Sequence, residues 1–189
     1  MSNFTVHTID SASDAARPTL QAVKDTYGFL PNLFGVFGES PAIAEAYAAV
    51  SGIFSSKTDL NPVEQQVVLL SASFVNGCDY CMAAHTGAAK AAKAGNQVIE
   101  GLRSGGPLGD AKLEALRTFT VAVVEQRGWV DDAVVNAFLA AGYTRQHVLD
   151  VILGVSLKTL SNYTNHLATT PLDAPFQPLK WTKPEAVTA

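Results

Sequence analysis

Cysteine is scarce in this chain: 189 residues hold only two. A disulfide framework is therefore excluded as what holds the fold together. Charge is scarce as well, at 16% of residues against 48% hydrophobic. That is too little charge for disorder, and ample apolar matter for a core. There is no basic excess, since 13 Lys and Arg stand against 17 Asp and Glu. The chain thus lacks the electrostatic footprint of a protein that tracks nucleic acid or an anionic membrane surface. Runs of about 18 uninterrupted apolar residues are absent, so no membrane span is expected. Residues 1–14 are polar, carry Asp10 and Asp14, and lack the basic flank and apolar run of a secretion signal. A cytoplasmic location is the expectation. Strand-like alternation is also scarce, which argues against a sheet.

What is present is helical periodicity, punctuated by start and stop signals. Spacing predicts a helix over 14–27, a turn at Gly28 to Asn32 and a further helical turn over 32–38. Ser40-Pro41 is a start signal, serine as cap and proline in the first helical position, for a helix to about Ser56. Asn61 and Glu64 form a second, a capping box, for a helix that ends at Asn76-Gly77. Further helices are expected over about 79–93, 96–103 and Asp110 to Gln126, then from Asp131 to Gly142 and from Thr144 to Ala168. Ser104 to Gly109 is the clearest loop, a candidate hinge. Residues 170–189 hold four of the nine prolines and read as an extended arm. Its Leu172, Phe176, Leu179 and Trp181 need apolar surface, which a neighbouring subunit could supply. The chain reads as one all-α domain over 1–169, with six to nine helices, followed by the arm.

The two cysteines stand three apart, with a histidine four further on: Cys78, Cys81 and His85. On a helix they form a single stripe. The turn at Gly77 places the motif near a helix N-terminus, where backbone N–H groups favour a thiolate. His85 can take the proton of Cys81 directly or through one water. A Cys81 thiolate that attacks an oxidant becomes a sulfenic acid, with which Cys78 condenses to a disulfide. A dithiol must then return both thiols. Other readings stay open. The cysteines could be two small buried hydrophobes. They could bind Zn²⁺, if folding brought His166 in as the missing fourth ligand. A thioredoxin-like pair would need strands where the flanks are helical. His147 reads as exposed and His7 as part of a mobile start. Phe34, Phe37, Tyr47, Phe54 and Phe74 read as core or subunit interface.

With its flanking helices, the stretch from Asn61 to His85 resembles the alkylhydroperoxidase D family of the carboxymuconolactone-decarboxylase-like superfamily. Its members carry Cys-x-x-Cys-x-x-x-His, and Val75 to Cys81 matches in character. Pro31 to Phe34, Asn162 to His166 and Thr170 to Asp173 resemble features of the peroxidase-related members. The resemblance implies an all-helical homo-oligomer, a trimer or hexamer. It also implies a thiol-dependent peroxidase or disulfide reductase, with Cys81 as nucleophile and Cys78 as resolving thiol. The implied partners are a hydroperoxide substrate and a dithiol or protein reductant; no cofactor and no metal are expected.

Two departures bear on the site. Where the family has a glutamate twelve residues before the first cysteine, this chain has Gln66, which holds a hydrogen bond but takes no proton. Glu64 is the nearest carboxylate, on the other face of the helix, and reads first as the capping-box residue. Glu64 and Gln66 are both candidates to orient His85 or a relay water. Tyr80 stands where those members can carry a histidine, and its hydroxyl is a candidate to orient a peroxide. The alternatives are decarboxylation or lactone chemistry, as in the superfamily's other branch, and a redox-sensing oligomer that turns nothing over.

Overall fold

The capping signals set the helix order. In the computed structural model, which describes residues 4–184, the helices are α1 (Arg17–Tyr27), α2 (Asn32–Phe37), α3 (Pro41–Lys57), α4 (Pro62–Asn76), α5 (Asp79–Ala91), α6 (Asn96–Ser104), α7 (Ala111–Glu125), α8 (Asp132–Ala140) and α9 (Arg145–Ala168). Asn61 accepts from the N–H groups of Val63 and Glu64, and the Glu64 carboxylate accepts from the Asn61 N–H, so the capping box forms. At Ser40 the cap is absent: its hydroxyl accepts nothing, and Pro41 alone sets the helix start. Thr144 caps α9 with His147 as the reciprocal partner, so His147 is half-buried in a cap.

Helix α4 is the centre of the molecule. Val67, Val68, Leu69, Leu70 and Ala72 are all buried, so the helix is apolar on every side and must be surrounded. Helices α5, α7 and α9 pack directly on it, with α3 and α6 beside them. Close approach of α9 depends on Gly154. A Cβ there would meet Val68 Cγ1 at 2.7 Å and Phe54 Cε2 at 2.8 Å. On the far side Phe138 stacks between Phe119 and Tyr143, with centroids 4.4 Å away from each, and ties α8 to α7 and to the start of α9.

Three further expectations change. His7 does not lie in a mobile start: its N–H donates to the Gly35 carbonyl, and residues 6 and 7 lie close over Gly35. The loop over 104–109 is packed rather than free to hinge, with Gly105 against the Phe74 ring and Gly109 against Gln97. The arm finds its apolar surface on its own chain. It forms a short 3-10 helix, Ala174–Leu179, against α5. Phe176 meets Phe29 and Tyr80 edge-on, and the buried Trp181 donates its indole N–H to the Arg103 carbonyl at 2.7 Å. Residues 185–189 of the expected arm lie outside the described residues. Among the described residues no helix is long and apolar enough to cross a membrane.

Candidate active site

Gly77 adopts a left-handed conformation, φ 70°, at the end of α4 and turns the chain into α5. Cys78 is the N-cap residue of α5, and Cys81 sits in its first turn. Both thiols are free, and both are buried. Several donors converge on Cys81. The Asn165 Nδ2 lies 3.3 Å from its sulfur, Ser161 Oγ 3.6 Å and Lys158 Nζ 3.7 Å, while the Cys78 thiol bonds to it from the same helix. Asn165 Nδ2 also reaches the Cys78 sulfur, at 3.7 Å.

These contacts separate the two thiols. Burial by itself raises the Cys81 pKa, but the Cys78 thiol, Lys158, Ser161 and Asn162 together bring it well below the ordinary thiol range. Cys78, which gives its proton to that bond, is pushed up, first by the bond to Cys81 and then by burial. The two shifts run in opposite directions, favouring the thiolate on Cys81 and the protonated thiol on Cys78.

Lys158 is fully buried, at 0% exposure. Among the described residues no carboxylate forms an ion pair with it. Burial works to strip its proton. The Cys81 thiolate, then Tyr47 and Cys78, oppose that, and the net pKa is raised. Lys158 stands between Cys81 and His85, 2.7 Å from His85 Nε2. On its other side, His85 Nδ1 lies 3.0 Å from Gln66 Oε1. An ammonium donating to Nε2 leaves the ring proton on Nδ1, donated to Gln66. Burial, and then the charge of Lys158, hold the His85 pKa well below its usual value, so the ring is neutral.

Cys78, Cys81, His85 and Gln66 come together here. Glu64 does not: its carboxylate bonds the Asn61 N–H, the Tyr143 hydroxyl and Lys112, on the other face of α4. Tyr80 is also spent elsewhere. Its hydroxyl donates to Asp173 at 2.5 Å and accepts from the Leu33 N–H, so it locks α5 to the arm and to α2. Burial and Asp173 push its pKa up. His166 is exposed at the end of α9. Among the described residues, no three or more His, Cys, Asp or Glu side chains gather as a metal would require.

Sequence reasoning gives Lys158 and Ser161 no role, and meets Asn162 and Asn165 only within the resemblance over residues 162–166. The four lie at i, i+3, i+4 and i+7 on α9, a polar stripe at helical spacing that was visible in the sequence. Nothing local says that this stripe faces inward.

A cavity of about 460 Å³ lies against Cys81, His85, Lys158 and Gln66. Phe34, Tyr47, Phe54, Leu69 and Phe176 are among its walls, whereas Cys78 does not line it. A second groove, of about 570 Å³ between α1 and α3, shares Tyr27, Phe34, Ser51 and Ser55 with the cavity.

Residues 41–106 match the carboxymuconolactone decarboxylase family. No curated protein matches the sequence. Among solved structures, the fold is shared with an uncharacterized peroxidase-related protein from Ralstonia eutropha JMP134 that has an alkylhydroperoxidase AhpD core. That protein is 20% identical, with a TM-score of 0.82 over 92% of this chain and 93% of that one. A peroxidase-related protein from Silicibacter sp. TM1040 is 17% identical, with a TM-score of 0.77 over 93% of this chain and 96% of that one. The debrominase Bmp8, solved as a cysteine-to-alanine variant with 2,3,4-tribromopyrrole, is 13% identical, with a TM-score of 0.77 over 95% of both chains. The segment that matches the carboxymuconolactone decarboxylase family runs from α3 through the cysteine pair to α6, and the helical architecture around it is the fold seen in the AhpD-like structures.

Proposed function

We propose that the protein is a thiol-dependent peroxidase that reduces organic hydroperoxides through a Cys78–Cys81 disulfide. The observation that carries this reading is an asymmetry. Cys81, ringed by donors and held as a thiolate, lines the cavity, while the protonated Cys78 lies behind it. A hydroperoxide in the cavity meets the nucleophile first. Cys81 attacks the outer oxygen and the O–O bond breaks. The sulfur keeps the hydroxyl as sulfenic acid, and the alkoxide leaves to become an alcohol. Cys78 then condenses with the sulfenic acid, releasing water. An external dithiol or protein reductant returns both thiols. His85, held by Gln66, positions Lys158 rather than meeting the sulfur. The apolar walls favour a peroxide with a carbon body over hydrogen peroxide.

Exposed Leu149, Ile152 and Tyr163 share one face of α9, which supports assembly of several copies as a homo-oligomer. The test of the activity is sustained loss of cumene hydroperoxide with added dithiothreitol, two thiols being consumed per chain in its absence. Thiols that resist oxidation would sink the proposal. A second reading is reductive removal of halogen from a small aromatic ring. The aromatic cavity walls and the shared fold of Bmp8 favour it. Bromide release from tribromopyrrole under the same reductant would support it instead.

A further inference from the structure

Attack on a hydroperoxide leaves an alkoxide that needs a proton. The obvious carriers are closed off. His85 is neutral, its Nδ1 proton is held by Gln66, and a glutamine can neither replace that proton nor accept one. Glu64 is committed on the other face of α4. One protonated group touches the reacting sulfur from the cavity side, and it is Lys158, 3.7 Å from Cys81 Sγ and lining the same cavity.

We infer that Lys158 is the general acid of the oxidative half-reaction: its ammonium gives a proton to the departing oxygen and is left as a neutral amine beside the new disulfide. The assignment rests on the peroxidase reading above. The proton count closes. Cys78 thiol, Cys81 thiolate, Lys158 ammonium and ROOH yield the disulfide, ROH, water and Lys158 amine. Reduction by a dithiol returns two protons, one to Cys78 and one to Lys158, and restores the thiolate–ammonium pair.

Charge balance drives the same transfer. In the reduced protein the buried ammonium is balanced by the thiolate. Disulfide formation removes that anion. The remaining titratable groups around Lys158 are His85 and Cys78 from α5, Tyr47 from α3 and Tyr27 from α1. Neutral imidazole and disulfide sulfur supply no counter-charge, and among the described residues no carboxylate forms an ion pair with Lys158. A fully buried ammonium without an anion sheds its proton. The redox state of the cysteine pair and the protonation of Lys158 are thus one coupled event.

Two measurements on the full chain test this. The first counts protons in weakly buffered solution with a pH indicator while the reduced wild type is oxidised by tert-butyl hydroperoxide. Donation by Lys158 predicts no net uptake, whereas one proton taken up per disulfide overturns the assignment. The second compares wild type, Lys158→Met and Lys158→Arg at a pH where thiolate absorbance shows Cys81 ionised in each. Arginine keeps the charge but does not give up a proton. Both variants should lose about 100-fold or more in oxidation by tert-butyl hydroperoxide and less than about tenfold with iodoacetamide or peracetic acid, whose leaving groups need no acid. Equal losses with all three reagents overturn the assignment and reduce Lys158 to a thiolate partner. Wild type that iodoacetamide alkylates but no hydroperoxide oxidises overturns the peroxidase reading, and this assignment with it.

Discussion

Asn165→Leu isolates one donor on the Cys81 sulfur. Asn165 is buried, its Nδ2 lies 3.3 Å from Cys81 Sγ, and its Oδ1 has no hydrogen-bond partner. Leucine keeps nearly the same shape and removes both atoms. A hydrogen bond to a charged group contributes about 1.5–3 kcal/mol. One pKa unit corresponds to about 1.4 kcal/mol. Loss of the donor therefore raises the Cys81 midpoint by about 1–2 units. The sign is fixed: less stabilised thiolate means a higher pH is needed to form it. Folding of the oxidised protein should not suffer, because the orphaned Oδ1 already carries a desolvation cost of about 1–3 kcal/mol that leucine removes. The assay is the pH dependence of iodoacetamide alkylation at Cys81, mapped by mass spectrometry, with a thermal melt of the oxidised form. An unmoved midpoint would refute the donor role of Asn165. A melting temperature that drops by several degrees would refute the claim that its oxygen is unpaired.

Cys81→Ser should abolish peroxide consumption, while Cys78→Ser should still consume one equivalent and accumulate a sulfenic acid that dimedone traps. Tyr80→Phe removes the hydroxyl that joins Asp173 to the Leu33 N–H, leaving a buried carboxylate short of a donor. It should lower stability by about 1–3 kcal/mol, read as a fall in the urea midpoint at constant slope. Gly154→Ala forces a Cβ to within 2.8 Å of Val68 and Phe54. The overpacking costs about 1–3 kcal/mol, more than the gain of up to about 1 kcal/mol in helix propensity, so the same urea midpoint should fall. Gln66→Glu places a carboxylate on His85 Nδ1. An opposite charge favours the imidazolium, so the His85 pKa should rise from its depressed value, visible in an NMR titration of the ring protons.

Local physics made much of this protein legible in its sequence. The Asn61–Glu64 capping box, the glycine stop at Gly77 and the placing of Cys81 and His85 on one face of α5, with Cys78 as its N-cap, all depend on residues a few positions apart. Their geometry follows from backbone hydrogen bonding and helical period alone. Other features join distant parts of the chain. Tyr80 meets Asp173 across 93 residues, and Lys158 meets Cys81 across 77. Helix α9 also misleads a local reading, because its polar stripe of Lys158, Ser161, Asn162 and Asn165 faces the core while Leu149, Ile152 and Tyr163 are exposed. By the usual rule of amphipathicity the polar face belongs in water. Only the packing of α9 against α4 and α5, permitted by the missing side chain at Gly154, turned that stripe onto the cysteine pair. The sequence by itself determined the helices and which cysteines could react. The tertiary structure decided which groups make Cys81 a thiolate, because a buried charge is set by neighbours that folding brings from elsewhere in the chain.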